Sequence, residues 1–270
     1  MLRVTSLASG SSGNAFLVET EQYPLLLEAG LSARTLERLL RRHAVEPASL
    51  AAIVLTHEHH DHAQGVGPLA RRWQIPVVCS PATQRALGAE LDGVECRPLH
   101  ADGTTIATVD LWGFPVSHDA VDPQGVILAH GATRIGLAID LGHAPLHVAE
   151  ALALADFVIV EANHDRERLL SSPYPWSTKH RILGDRGHLS NLQAAELLAT
   201  IAGSGHLRGA WLAHLSARAN DHPQGVLRYI RSYLDMAGHG RLPLQIAERD
   251  KPSAIWHSDE WTQQTLLDVS

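Results

Sequence analysis

Apolar positions recur along this chain in two rhythms. Short alternating runs at 2–7, 15–20 and 24–29 read as strands, and the first two are joined by Ser9-Gly10-Ser11-Ser12-Gly13-Asn14, whose glycines permit a tight turn. From Ser32, a side chain suited to an N-cap, the spacing becomes helical. Leu36, Leu39 and Leu40 share one face, and Arg34, Arg38, Arg41 and Arg42 fall on a face read as solvated, with a nucleic-acid patch as the alternative. Strands are then expected at 51–56, 75–80, 94–99, 105–118, 126–130 and 134–140, alternating with helices near 65–73 and 81–89. A helix at 145–154, a strand at 156–161, helices at 190–202 and 223–237, and strands at 209–215 and 242–248 complete the pattern. The mixture predicts two sheets covered by helices, an α+β or α/β protein. No repeat, linker or low-complexity segment stands out, so a single domain is expected over 1–250, with a C-terminal tail of unassigned order over 251–270.

The 270 residues suffice for one domain with a sizeable core. Net charge is −7 and no Lys/Arg block appears, which counts against a broad basic surface for nucleic acid. Bound divalent ions would restore a local patch that attracts phosphate. Cys79 and Cys96, the two cysteines of the chain, read as buried free thiols. No apolar stretch reaches the roughly 18 residues of a membrane span, and the chain enters a strand at Leu2 without a leader pattern. A cytoplasmic location is expected.

Candidate chemistry is concentrated in His57-Glu58-His59-His60-Asp61-His62, the pattern HxHxDH, directly after the apolar run Ala51-Ala52-Ile53-Val54-Leu55-Thr56. In extended backbone, residues two apart point the same way, so His57 and His59 can share one metal. Asp61 and His62 follow where a helix would begin and can serve a second. The competing reading is a polar loop in a chain with 18 histidines. Further candidates sit at the ends of expected strands: His118 in PVSHDA, Asp140 in LAIDLG and His214 in WLAHLS.

With these motifs the sequence resembles the metallo-β-lactamase fold superfamily, whose landmarks are an acidic residue after an early strand, HxHxDH, a His, an Asp and a final His. Glu28 in LLLEAG, where the superfamily usually has Asp, matches the first as a supporting carboxylate. SLASGSSGNAFLVE, EANHD, GHLSN and HLSARAN are similar to the YycJ/WalJ-type metallo-hydrolases, a bacterial group associated with exonuclease action on DNA. The resemblance implies a four-layer αββα sandwich. It implies that His57, His59 and His118 hold one divalent ion (Zn or Mn), that Asp61, His62 and His214 hold another, and that Asp140 bridges. Such ions, about 3.5 to 4 Å apart, generate a bridging hydroxide near neutral pH. The interval from Asp140 to His214 is too short for the extra domain of β-CASP nucleases.

In the tRNase Z branch of the superfamily a Glu in EATF pairs with a His in GHST to handle the proton of the leaving oxygen. Glu161 in EANHD and His188 in GHLSN stand at the matching places, so Asp61, Glu161 and His188 are the catalytic candidates; a strand-end and helix-capping role is the alternative for the last two. Lys179, Arg181 and Arg186 are candidate phosphate-binding cations. The reading is a metal-dependent phosphodiesterase on nucleic acid, DNA favoured. A thioesterase or lactonase, and a non-catalytic metal-stabilised partner module, are the alternatives. Oligomeric state is not legible.

Overall fold

Strands that are apolar on both faces must be covered on both sides, and four layers meet that demand. The computed structural model describes residues 1–259. The first half of the chain supplies β1 (Arg3–Ala8), β2 (Ala15–Glu19), β3 (Pro24–Leu27), β4 (Ala52–Val54), β5 (Val77–Cys79) and β6 (Cys96–Pro98). The second supplies β7 (Thr104–Ile106), β8 (Val109–Pro115), β9 (Gln124–His130), β10 (Thr133–Ala138), β11 (Phe157–Glu161), β12 (Gly209–Ala213) and β13 (Leu244–Ile246). The last strand, β14 (Ile255–His257), returns to the first sheet, ordered β14-β1-β2-β3-β4-β5-β6; the second is ordered β13-β12-β11-β10-β9-β8-β7.

Helices α1 (Ala33–Arg42), α2 (His60–Ala63), α3 (Val66–Trp73) and α4 (Pro81–Leu87) accompany the first sheet in sequence. The second is interleaved with α5 (Leu146–Leu152), α6 (Arg166–Ser171), α7 (Trp176–Leu183), α8 (Asn191–Ala202) and α9 (Pro223–Met236). Alternation sorts side chains into layers. Phe16, Val18, Leu25 and Leu27 point inward and pack with Leu128, Leu137, Phe157, Ile159 and Trp211 between the sheets. Leu17 and Leu26 face the other way, onto Leu36, Leu40 and Leu69 of α1 and α3. Val158 and Val160 likewise meet the outer helices α5, α8 and α9 through Leu152, Leu198 and Ile230. The fold is therefore the αββα sandwich.

Three expectations need correction. The run 105–118 is a hairpin plus a loop: Ala107 adopts a left-handed φ of 53°, reversing the chain so that Ile106 pairs with Val109. The fold extends past residue 250, because Thr5, Val4 and Arg3 pair with Ile255, Trp256 and His257. The rest of the expected tail, 260–270, lies outside the described residues. Helices α6 and α7 arise where only loop was read. Among the described residues no helix is long and apolar enough to cross a membrane. Both cysteines are free thiols, Cys79 buried and Cys96 half-buried.

Candidate metal centre

Every candidate ligand comes from the same end of the sandwich, where strands stop and loops begin. Glu28 follows β3, HxHxDH follows β4, His118 follows β8, Asp140 follows β10, Glu161 ends β11 and His214 follows β12. Glu28, Asp140 and His214 take left-handed φ of 64°, 59° and 54°. Such backbone costs on the order of 1–3 kcal/mol per residue and persists where surrounding structure over-determines it. Here the reversal stops each strand and swings its side chain inward. Within HxHxDH, His59 is extended (φ −59°, ψ 148°) and caps α2, so the chain turns from extended to helical between His59 and His60 as the spacing predicts.

The side chains converge. His57, His59, His118 and Asp140 offer ligand atoms within 4.8 Å of one another, as do Asp61, His62, Asp140 and His214. Asp140 belongs to both groups: its Oδ2 lies 2.8 Å from His62 Nε2, 3.4 Å from His57 Nε2 and 3.7 Å from His118 Nε2. A third group, Asp140, Glu161, His188 and His214, adjoins them.

Outer partners fix which nitrogen faces the centre. A carbonyl can only accept, so His118 Nδ1 donates to Gly187 O (3.0 Å) and leaves Nε2 bare toward His59 and Asp140. His57 Nδ1 meets Thr56 Oγ1 at 2.9 Å, His62 Nδ1 lies 3.4 Å from Glu28 Oε2, and His214 Nδ1 lies 2.8 Å from Glu161 Oε1. Each directs Nε2 inward. His57 Nε2, His214 Nε2 and Asp140 Oδ1 are buried without a hydrogen-bond partner of good geometry. Such atoms are costly unless something occupies the space between them. An imidazole and carboxylate set of this kind suits a divalent ion.

Without an ion, the carboxylates and imidazoles of the cluster hold one another's charge. Burial pushes His118 down to about 4, the neutral form that ligates. Burial also opposes a charge on His62, but Asp140 and Glu28 outweigh it and hold the imidazole up at about 10. Burial would raise Glu161, yet His188 and His214 bring it down to about 2. His188, opposed by burial, is raised to about 9 by Glu161 and Asp140. The carboxylates are thus held ionised beside the imidazoles they orient.

The family described as Beta-lactamase superfamily domain matches residues 24–214. The chain belongs to that superfamily. With its His/Asp cluster complete it is a metal-dependent hydrolase of that family. It is 39% identical over 220 residues to "Exodeoxyribonuclease WalJ" of Streptococcus pneumoniae serotype 2 (strain D39 / NCTC 7466), covering 79% of this chain and 81% of that protein. It is 33% identical over 223 residues to "Exodeoxyribonuclease YycJ" of Bacillus anthracis, covering 81% and 84%. Among solved structures, the metallo-beta-lactamase fold protein YhfI from Bacillus subtilis superposes with a TM-score of 0.71 at 18% identity, over 95% of this chain and all of that one, a likeness of fold.

The residues matched to the superfamily begin at position 24, yet Ser9 and Asn14 upstream touch the centre. Asn14 Nδ2 lies 3.3 Å from Asp61 O and 3.2 Å from His62 Nε2, while its Oδ1 accepts from Ser9 Oγ and Gly10 N. Ser9 Oγ in turn accepts the His214 N–H at 2.9 Å. The Ser/Gly/Asn turn, part of the SLASGSSGNAFLVE motif, therefore ties the two halves of the cluster together, a role its local sequence does not reveal. The cationic candidates fare differently. Lys179 is buried, its Nζ donating to Leu170 O, which leaves it unavailable to a phosphate. Arg186 donates to His118 O and Ala120 O and so braces the loop carrying His118. Arg181 is half exposed but paired with Asp119.

Proposed function

We propose that this protein is a phosphodiesterase that shortens DNA from an end, working with two divalent ions, zinc or manganese. What carries the reading is the Glu161–His188 pair set against the ligand cluster, joined to the exodeoxyribonuclease names of relatives at 33% and 39% identity. His57, His59 and His118 would hold one ion, Asp61, His62 and His214 the other, with Asp140 between them. When bound, such ions polarise a phosphoryl oxygen and lower the pKa of water.

The remaining work falls to side chains. Glu161 Oε1 accepts from His188 Nδ1 at 2.8 Å, so Nε2 is the atom left to pass a proton to the departing 3′ or 5′ oxygen. The Glu161 carboxylate favours the protonated form of His188, the form a general acid needs. Asp61, 24% exposed against 2% for Asp140, is the carboxylate of the cluster that meets incoming water. Glu28 holds Thr56 N and His62 and stays behind the ligands. A cytoplasmic location goes with a DNA substrate.

The test is metal-reconstituted protein incubated with end-labelled single- and double-stranded DNA, RNA and a panel of esters, thioesters and lactones. Mononucleotides released from a DNA end are expected. Turnover of the acyl panel with no cleavage of any nucleic acid, across Mn, Zn and Mg, would move the site to small-molecule hydrolysis.

A further inference from the structure

Although the chain carries a net charge of −7, one flank is strongly basic. Arg34, Arg38 and Arg42 recur every fourth residue of α1, all exposed. Four residues advance a helix by about 6 Å, so the three form a ladder about 12 Å long that drifts slowly around the axis. Among the described residues no carboxylate lies within ion-pairing reach of any of the three. Their neighbours are engaged: Arg41 with Glu37 (3.7 Å) and Glu46 (3.2 Å), Arg72 with Glu37 (3.2 Å), and both lie over the Trp73 ring. A Glu or Asp four residues from each of these cations would offset its charge and stabilise the helix. Here Glu37, the one acid of α1, is buried and already engaged by Arg41 and Arg72.

The ladder also starts beside the metal centre. Ala29 N donates to His62 O at 2.7 Å, Gly65 N donates to Ala29 O at 2.8 Å, and a Cβ on Gly30 would stand 1.7 Å from Asp61 O. The segment leading into α1 is thus packed directly on HxHxDH, and from there α1 runs along the outer face of the first sheet, Leu36 and Leu40 packing with Leu17 and Leu26. We propose that Arg34, Arg38 and Arg42 are a track for the sugar-phosphate backbone of the DNA being shortened, gripping phosphates several nucleotides from the scissile one. This rests on the phosphodiesterase reading. One strand of a duplex carries a phosphate about every 3.4 Å of axis, so guanidiniums spaced over ~12 Å meet different phosphates. Such contacts position the strand and read no sequence.

Salt dependence tests it. DNA affinity is measured by anisotropy, with metal chelated to prevent cleavage, for the wild type and for the triple variant Arg34→Gln/Arg38→Gln/Arg42→Gln. The slope of log affinity against log salt should shrink by about two to three in the variant, and kcat/KM on long DNA should fall roughly tenfold or more. Turnover of bis-p-nitrophenyl phosphate, too short to reach α1, should be unchanged, and the triple Lys variant should keep the wild-type slope. An unchanged slope in the Gln variant, with wild-type DNA cleavage intact, overturns the track. A loss of binding to phosphatidylglycerol vesicles in place of DNA overturns it in favour of a membrane surface. A wild type that hydrolyses the small diester but cuts no DNA removes the DNA reading and the track together.

Discussion

Oε1 of Glu161 lies 2.8 Å from Nδ1 of His214, the same distance at which it holds Nδ1 of His188. Its other oxygen accepts the N–H groups of Leu141 and Leu189. A carboxylate so placed does more than orient one imidazole, which is all the motif comparison suggests. Glu161→Gln is expected to weaken metal binding by about 10–100-fold, as loss of a carboxylate behind a ligating imidazole does, as well as slowing hydrolysis. Competition with a chromophoric chelator reads the affinity. An unaltered value would mean that His214 is positioned without Glu161.

His188 should separate from the candidate ligands by leaving group. His188→Ala is expected to slow cleavage of an ordinary phosphodiester by roughly 10²–10⁴, the range for a lost general acid. It should barely change bis-p-nitrophenyl phosphate, whose leaving group departs unaided. Equal losses on both substrates would make His188 a structural or binding residue.

How much of this site could be read in advance follows from where its residues stand. Glu28, HxHxDH, Asp140 and His214 were legible because each follows a strongly apolar strand, and the turn at His59–His60 because HxHxDH meets no proline or glycine before Gly65. The hairpin at Ala107 was not, since an alanine in left-handed backbone leaves no compositional mark. Lys179 looks like a loop cation until α6 and α7 bring Leu170 O within reach of its Nζ, a contact set by packing of two short helices around Ser172-Pro173. Asn14 acts across 47 residues on the Asp61 carbonyl, a distance over which local pattern carries no information.

Gly30 tests how tightly the metal loop is seated. A Cβ there would stand 1.7 Å from Asp61 O and 2.6 Å from Asn14 N, both backbone atoms that cannot rotate away. Gly30→Ala should therefore destabilise the protein by about 1–3 kcal/mol or more and lower metal content on purification. Gly225→Ala, in the first turn of α9 with nothing within 4 Å, is the matched control and should be neutral or stabilising by a few tenths to about 1 kcal/mol. Thermal melts and metal analysis of the pair check both. A Gly30 variant as stable and as metal-replete as the control would show that the loop has slack.

His164 makes stability sensitive to mild acid. It is 1% exposed, its Nδ1 lacks a hydrogen-bond partner, and burial pushes its pKa down from 6.5 to about 4. The unfolded chain binds a proton there near pH ~6.5, the folded protein only near pH 4, so between these values the unfolded state holds more protons and stability rises with pH. The contribution is complete above pH 6.5, declines as pH falls toward 4, and then levels off; the gap corresponds to about 3 kcal/mol. Substituting His164→Gln should remove most of that pH-dependent loss while costing about 1 kcal/mol at pH 7 through imperfect packing. Urea midpoints at pH 7 and pH 4.5, taken on metal-stripped protein so that ligand protonation is common to both, give the comparison. If the variant weakens between those pH values as much as the wild type does, the acid-sensitive group lies elsewhere in the cluster.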